Sequence, residues 1–281
     1  MKLLYTIMKI GGSALYNEVL TEFAEKYSHD LILECFGPEA KLYAEDFYIT
    51  ESFYKKYKTT ILDNIDIIAG KDIVDIGSGT GVWGILMLMS GAKSVTCIEP
   101  RKKYAQGLSR FAKKHDMAIT SIEGFHDAVF DLDKKYDTAI MMGFIDLIPD
   151  PVAYLSRLDS VCDYVMITHR VWENVDTDGL RIRVSYNLGG NHGFNFKQLS
   201  SITRDSGDQT DIHSIISERS KKKGKYFYYT FGATFFEILA ENMGYKVLRN
   251  YIPEDLKIVG RSNHNRWLCY RVIIIELNQH D

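Results

Sequence analysis

The chain has 281 residues, of which 46% are hydrophobic and 25% charged, and its formal net charge is −3 at pH 7. This composition is typical of a soluble globular protein with one large core, or with one core and a modest accessory region. It gives no general sign of nucleic-acid binding, which shows as a basic excess on one face, although a local basic patch stays open. No apolar run approaches the length that would cross a bilayer, so no membrane-spanning segment is predicted.

The cysteines and the N-terminus indicate the compartment. Cysteines stand at positions 35, 97, 162 and 269, without paired spacing and without a C-x-x-C motif. This pattern predicts a reducing, cytoplasmic location without disulfides and without zinc. The apolar start of the chain is interrupted by Lys9 and lacks a cleavage site, so it is expected to be mature sequence. No His, Cys and carboxylate cluster has metal-ligand spacing, so no metal is expected.

Residues 1–65 predict an N-terminal helical cap. Apolar residues recur at helical spacing between positions 15 and 36, and again between positions 51 and 65. Two amphipathic helices are therefore expected before the first strand.

Residues 72–81 read Asp-Ile-Val-Asp-Ile-Gly-Ser-Gly-Thr-Gly and predict a buried strand followed by a turn with three glycines. The apolar run at 82–89 predicts a helix, and residues 94–98 predict a second strand that ends at Glu99. This succession is typical of the nucleotide-binding half of a doubly wound α/β sheet. Glycine lets the turn backbone pass close to a ligand, and the acid suits the hydroxyls of a ribose.

The alternation of helices and strands continues along the chain. Helices are predicted at 101–115, 152–158 and 234–244, and strands near 118–122, 136–142, 163–168, 246–251 and 267–277. We therefore expect an α/β fold with a doubly wound, mostly parallel sheet. The polar, glycine-dotted residues 171–230 are expected to be an insertion after strand five and a substrate lid, which leaves 66–170 and 231–281 as the sheet domain.

Two registers of the glycine turn compete. Gly79, Gly81 and Gly84 match the dinucleotide fingerprint G-x-G-x-x-G. In this register, however, the first glycine lies three residues beyond Ile76, the end of the predicted strand. In the other register Gly77 follows the strand directly, with Asp75 two residues before it. A carboxylate there would repel a pyrophosphate and hold an ammonium, which favours the second register. A nicotinamide or flavin nucleotide, and a turn without any ligand, remain the alternatives.

In the second register the residues resemble a known family, the class I S-adenosylmethionine-dependent methyltransferases. Their motif I is acid-x-G-x-G-x-G and their post-I motif is an acid that ends strand two; the matching residues here are Asp75, Gly77, Gly79, Gly81 and Glu99. The resemblance implies a Rossmann-like fold whose cofactor is S-adenosylmethionine. The turn backbone, including Ser78, would lie along its methionine part, and Glu99 would bind its ribose. The final helix, strand and returning strand resemble the antiparallel hairpin that closes the sheet in that family.

The same resemblance places further residues around the cofactor. After strand three, where the family usually has an acid for the adenine amino group, this chain departs from the pattern with Phe125. Phe125 could stack on the adenine, with His126 or Asp127 at its edge, or it could pack on the sheet. After strand four, Gly143 would lie near the transferred methyl group, and Phe144 could be a pocket wall or a core residue.

His169, which follows strand five, is the candidate general base, with Asp146 behind it. Methyl transfer from a sulfonium is an in-line displacement whose rate can come from alignment and exclusion of water, so a nucleophilic side chain is not obligatory. A hydroxyl acceptor can still need a base. A structural, hydrogen-bonded histidine is the alternative for His169.

The acceptor is expected to be an O or N atom of a small molecule. Residues 142–149 lack the Asn/Asp-Pro-Pro-Tyr/Phe motif of enzymes that methylate exocyclic amines of bases, and no catalytic Pro-Cys pair is present. RNA or protein is the alternative acceptor, and a non-catalytic cofactor-binding or scaffold protein is the alternative of another class. The basic residues in 219–225, followed by Tyr226, could contact an anionic or nucleic-acid substrate or form a solvated turn. The sequence carries no sign of an oligomeric state.

Overall fold

The computed structural model describes residues 14–37, 51–145, 148, 150–172, 180–187, 194–198, 225–231, 234–252, 260–262 and 265–277. The helices are α1 Ala14–Glu22, α2 Ser28–Phe36, α3 Glu51–Thr60, α4 Val82–Met89, α5 Lys102–Lys114, α6 Pro151–Leu158 and α7 Phe235–Asn242. A π-helical turn, Phe23–Tyr27, joins α1 to α2, and 3₁₀ turns cover Leu62–Ile67 and His126–Asp131.

The strands are β1 Asp72–Ile76, β2 Ser94–Glu99, β3 Ile119–Glu123, β4 Tyr136–Met142, β5 Cys162–Trp172, β6 Leu180–Asn187, β7 Phe194–Gln198, β8 Lys225–Phe231, β9 Lys246–Tyr251, β10 Gly260–Ser262 and β11 Asn265–Glu276. Among the described helices, none is long and apolar enough to cross a membrane. The three cysteines whose side chains are described, Cys35, Cys97 and Cys162, are buried free thiols.

The main sheet has the strand order β3-β2-β1-β4-β5-β11-β9. Neighbours from β3 to β5 pair in parallel, and β11 pairs antiparallel with both β5 and β9. The predicted doubly wound, mostly parallel sheet with an antiparallel C-terminal strand is therefore confirmed. The chain moves outward from β1 to β3 and then returns to β4 on the other side of β1. The crevice beyond the carboxyl ends of β1 and β4 is therefore the switch point where such sheets bind ligands.

The predicted insertion contains three strands that extend this sheet. β5 continues to Trp172, four residues beyond its predicted end, and Val171 pairs in parallel with Phe231 of β8. β6 pairs antiparallel with β8 and with β7. The polar residues that follow Ile167 ended the apolar run in the sequence, whereas the backbone pairing with β11 carries the strand further. The basic residues 219–224 lie outside the described residues, and the role of the insertion as a lid stays a prediction.

Side chains alternate between two cores, one on each face of the sheet. Ile73 belongs to the core under α2, α3, α4 and α5, and Val74 belongs to the core under α6 and α7. The predicted helical cap packs on the first face. There α2 approaches α5 so closely that a Cβ added to Gly107 would lie 2.5 Å from the Cα of Cys35. Glycine at this position therefore lets the cap dock onto the sheet domain.

Candidate functional site

The glycine turn begins directly after β1, as the second register predicts. β1 ends at Ile76 and α4 begins at Val82, and the turn glycines between them have φ angles of 75°, 61° and 78°. Left-handed backbone of this kind is open to glycine and costly for other residues. The N–H groups of Gly77 and of the buried Ser78 donate to the carbonyl of Ile98 over 3.0 and 3.1 Å. The turn is therefore fixed to the end of β2.

The lack of a side chain has a different consequence at each of the three turn glycines. A Cβ on Gly77 would lie 2.4 Å from the ring of Phe144, and a Cβ on Gly81 would lie 2.3 Å from Leu108. At Gly79 the nearest atom is the Arg101 Nη2, 3.7 Å away. Protein side chains thus fill the space at two of the three glycines, and Gly79 leaves the most open approach to the turn backbone.

A fourth glycine, Gly84, is not part of the register that Asp75 favours, but it has a structural role. A Cβ on Gly84, in the first turn of α4, would lie 2.7 Å from the Cys97 sulfur and 3.2 Å from Val95 Cγ1. Gly84 therefore lets α4 pack closely on β2. The G-x-G-x-x-G spacing in the sequence signals this role, because the third glycine of that pattern serves close helix–strand packing.

Asp75 is a buried carboxylate that has no counterion among the residues the structure describes. Its side chain is 1% exposed, and its Oδ2 accepts no hydrogen bond from any described residue. Burial, and to a smaller extent the charge of Glu99, raises the pKa of Asp75 to about 7. The Oδ2 atom lies 3.8 Å from the position that a Cβ on Gly84 would take, which places the carboxylate beneath the start of α4. A cation that reached it would be strongly held.

Glu99 is a second buried carboxylate, but its oxygens are engaged. Oε2 accepts from the Gly79 N–H over 2.9 Å, and Oε1 accepts from the Arg101 backbone N–H over 3.0 Å and from the Arg101 Nε–H. The Arg101 guanidinium also lies 4.0 Å from the centre of the Tyr104 ring. Arg101 was not among the predicted site residues; an arginine two positions after the acid is the only signal in the sequence.

Phe125 and His126 follow β3 and differ in exposure. The Phe125 side chain is 73% exposed, so its face is available to a ligand. The His126 side chain is 16% exposed, and its ring centre lies 5.1 Å from that of Tyr154 and 6.1 Å from that of Phe144. Burial lowers the pKa of His126, which favours the neutral ring. A neutral imidazole can donate or accept a hydrogen bond at the edge of a base.

The end of β4 meets the glycine turn. Gly143 is exposed with φ +62°, and its N–H donates to Thr168 Oγ1 over 2.9 Å. Phe144, the next residue, packs on Gly77 and neighbours His126. The structure thus brings the predicted residues after β1, β2, β3 and β4 to one edge of the sheet.

The predicted catalytic pair is not brought to the same place. His169 is fully buried, and its ring packs edge-on against Phe236 of α7 with 4.9 Å between ring centres. It shares its face of β5 with Val165 and Ile167, in the core opposite to Asp75. Asp146 lies outside the described residues. The role of His169 as a base stays a prediction, and its position is that of a core histidine.

Within the described residues, no group of three or more His, Cys, Asp or Glu side chains is arranged to hold a metal ion.

Known proteins share this arrangement of strands. No family model matches the sequence. An S-adenosylmethionine-dependent methyltransferase from Clostridium acetobutylicum has a similar structure, with a TM-score of 0.52 at 8% identity over 87% of this chain and 100% of that chain. The 1,6-didemethyltoxoflavin-N1-methyltransferase of Burkholderia thailandensis is similar with a TM-score of 0.52 at 13% identity over 89% of each chain. The chain therefore has the fold of these methyltransferases.

One curated relative is similar to part of this chain. The "Probable protein arginine N-methyltransferase 3" of Arabidopsis thaliana is 25% identical over 122 residues, which are 41% of this chain. The match spans about a fifth of the length of that relative, 20%. The likeness to the two solved structures, at 8% and 13% identity, concerns the fold alone.

Proposed function

We propose that this protein is an S-adenosylmethionine-dependent methyltransferase that methylates an O or N atom of a small molecule. The observation that carries the proposal is Asp75, a buried carboxylate beside a glycine turn in the class I methyltransferase fold, for which the described part of the chain supplies no counterion. An unpaired buried charge is costly, and its persistence at the ligand edge of a sheet points to a cationic ligand group.

The residues present fit S-adenosylmethionine. Asp75 would hold the ammonium of its methionine part, the turn from Gly77 to Gly81 would lie along that part, and Glu99 would bind the ribose hydroxyls. Phe125 offers an exposed aromatic face for the adenine, and the neutral His126 offers a hydrogen bond at its edge. When bound, the cofactor supplies a methyl group on a positively charged sulfur.

The chain's own contribution to the reaction would be alignment and exclusion of water. Phe144, which packs on Gly77, would separate the turn from the end of β4. A neutral acceptor loses a proton when it is methylated, and His169 with Asp146 remains the proposed proton acceptor. Because the His169 ring is fully buried and packs against Phe236, proton transfer to it needs a hydrogen-bonded path from the site.

A nicotinamide or flavin dinucleotide fits this site less well. Its pyrophosphate would lie against the turn, near the buried carboxylates of Asp75 and Glu99. Like charges at close range in a poorly solvated crevice repel by kcal/mol rather than by tenths. The site therefore favours a ligand that is cationic where a dinucleotide is anionic.

The acceptor is the finer part of the proposal. The Burkholderia thailandensis protein, which overlaps 89% of this chain, was crystallised with the small molecule 1,6-didemethyltoxoflavin and S-adenosylhomocysteine. The Arabidopsis thaliana relative supports a protein acceptor as the second candidate. The insertion at 171–230 is the proposed lid over the acceptor, because β8 joins β5 at Val171, just beyond His169. A cytoplasmic location also remains a proposal.

Two experiments test the proposal in sequence. Isothermal titration calorimetry with S-adenosylhomocysteine and with NAD should show binding of the first ligand alone, and binding of NAD alone would overturn the proposal. Label from methyl-tritiated S-adenosylmethionine should then move into the small-molecule fraction of a cell extract. Label in the protein or RNA fraction instead would replace the small-molecule acceptor by a macromolecular one.

A further inference from the structure

Arg101 occupies part of the site that the proposed function gives to a ribose. The Glu99 carboxylate is 3% exposed, whereas the Arg101 side chain is 59% exposed. A buried, fixed acceptor thus faces a solvent-accessible donor that can leave.

The hydrogen bonds of Glu99 show how much of the carboxylate is in use. Each carboxylate oxygen has two acceptor directions. Oε1 accepts twice, from the backbone N–H and from the Nε–H of Arg101, and Oε2 accepts once, from the Gly79 N–H. One direction therefore stays open. A ribose offers two adjacent hydroxyl donors, so the second hydroxyl needs a direction that is already taken.

Of the three donors, only the Arg101 side chain can leave without a change of the backbone. The Gly79 and Arg101 N–H groups belong to the turn and to the start of α5. The guanidinium already lies 4.0 Å from the Tyr104 ring centre, and it passes 3.7 Å from the Cβ position of Gly79. Cation–π attraction to Tyr104 can retain the guanidinium after its bond to Glu99 breaks.

We propose that Arg101 is a displaceable occupant of the ribose subsite: the cofactor's ribose must displace its Nε–H from Glu99, and Tyr104 then retains the guanidinium. The inference rests on the proposed function, because it assumes that Glu99 binds a ribose. Arg101 then lowers the affinity for the cofactor, since every binding event exchanges one charge-assisted hydrogen bond for another.

The test measures the dissociation constant of S-adenosylhomocysteine by calorimetry. This ligand has no sulfonium and no net charge, so the loss of one exposed positive charge changes its long-range attraction to the protein little. Arg101→Ala is expected to bind about tenfold more tightly than the wild type, and Arg101→Lys to fall between the two. Lys102→Ala is the matched control: it removes one exposed positive charge at the adjacent position and is expected to leave the affinity unchanged.

A double-mutant cycle tests whether the tighter binding of Arg101→Ala comes from the loss of its hydrogen bond to Glu99. In the background of Glu99→Gln, which is expected to weaken binding, the gain from Arg101→Ala should disappear, because nothing is left to compete for. An Arg101→Ala variant that binds no better than the wild type, or that gains equally in both backgrounds, overturns the inference. If neither the wild type nor any variant binds S-adenosylhomocysteine, the proposed function itself fails and the inference falls with it.

Discussion

Asp72 and Asp75 lie on the same strand, at opposite edges of the sheet. Asp72 is paired with lysines, whereas Asp75 is buried without one among the described residues. Asp72 accepts hydrogen bonds from Lys93 Nζ over 2.7 Å and from Lys134 Nζ over 3.2 Å. The Lys93 bond above all, with those from Ser94 and Lys134, holds the pKa of Asp72 far below its usual range. Asp75 has no such partner among the described residues, and burial raises its pKa to about 7.

The pairing of Asp72 is repeated along the amino-terminal edge of the sheet. The acids at this edge in β4, β5 and β11 each have a lysine within reach. The pairs are Asp137 with Lys71 at 3.6 Å, Asp163 with Lys135 at 2.7 Å, and Glu276 with Lys246 at 3.4 Å. At the carboxyl edge, Asp75 of β1 has no lysine partner in the described part of the chain. Within the described residues, the fold therefore pairs its acids with lysines at the amino-terminal edge and leaves Asp75 without one at the edge where the proposed cofactor binds.

The largest effect is expected from Asp75→Asn, a change of nearly equal size that removes the charge. A bound ammonium would then be buried without a counterion, and the affinity for S-adenosylhomocysteine should fall about a thousandfold, or roughly 4 kcal/mol. Calorimetry measures this loss. Asp72→Asn on the same strand is the matched control and should leave the affinity unchanged. Equal affinity of the Asp75 variant and the wild type would remove the basis of the proposed function.

The pH dependence of stability should separate the same two residues. The folded pKa of Asp75 lies above its ordinary value of 3.8, so its contribution to stability is full below that value and is lost as the pH rises through about 7. Asp75→Asn should therefore gain stability relative to the wild type between pH 4 and pH 8, by roughly 3 kcal/mol. Urea unfolding at several pH values measures the difference. A difference that does not change with pH would mean that Asp75 titrates normally.

Phe125→Ala tests the exposed side of the site. The side chain is 73% exposed, so its loss should hardly change the melting temperature. If the ring stacks on the adenine, the affinity for S-adenosylhomocysteine should fall about tenfold, since stacking of a base on an aromatic side chain contributes about 1–3 kcal/mol. Leu33→Ala, at a side chain 45% exposed on α2, is the control for a lost surface apolar group. An unchanged affinity would assign Phe125 to another contact.

The sequence predicts most of the sheet because its strands are apolar runs between glycines and acids. The predicted bounds of β4 and β9 agree with the observed Tyr136–Met142 and Lys246–Tyr251. The glycine turn and the acids at its two sides are local patterns, and they were found for that reason.

What the sequence does not predict depends on partners far along the chain. β5 extends to Trp172 because β11 pairs with it. Phe144, which lies far from Gly77 in the sequence, fills the space beside that glycine. The position of His169 could have been found. The alternation of Val165, Ile167 and His169 puts the histidine on the apolar face of β5, which is the signal of a core residue.

The smallest of the expected effects is that of Asp72→Asn on stability. The lysines that pair with Asp72 are 67% and 41% exposed, so solvent screens both ion pairs, and the loss of stability at pH 7 should be about 1 kcal/mol. Because the pKa of Asp72 is lowered, this contribution is present above its ordinary pKa and is lost as the pH falls below it, opposite to Asp75. Urea unfolding at low and high salt measures it, and salt should reduce it. A loss as large as that expected from a buried charge, or a change of ligand affinity, would contradict the division between the two edges.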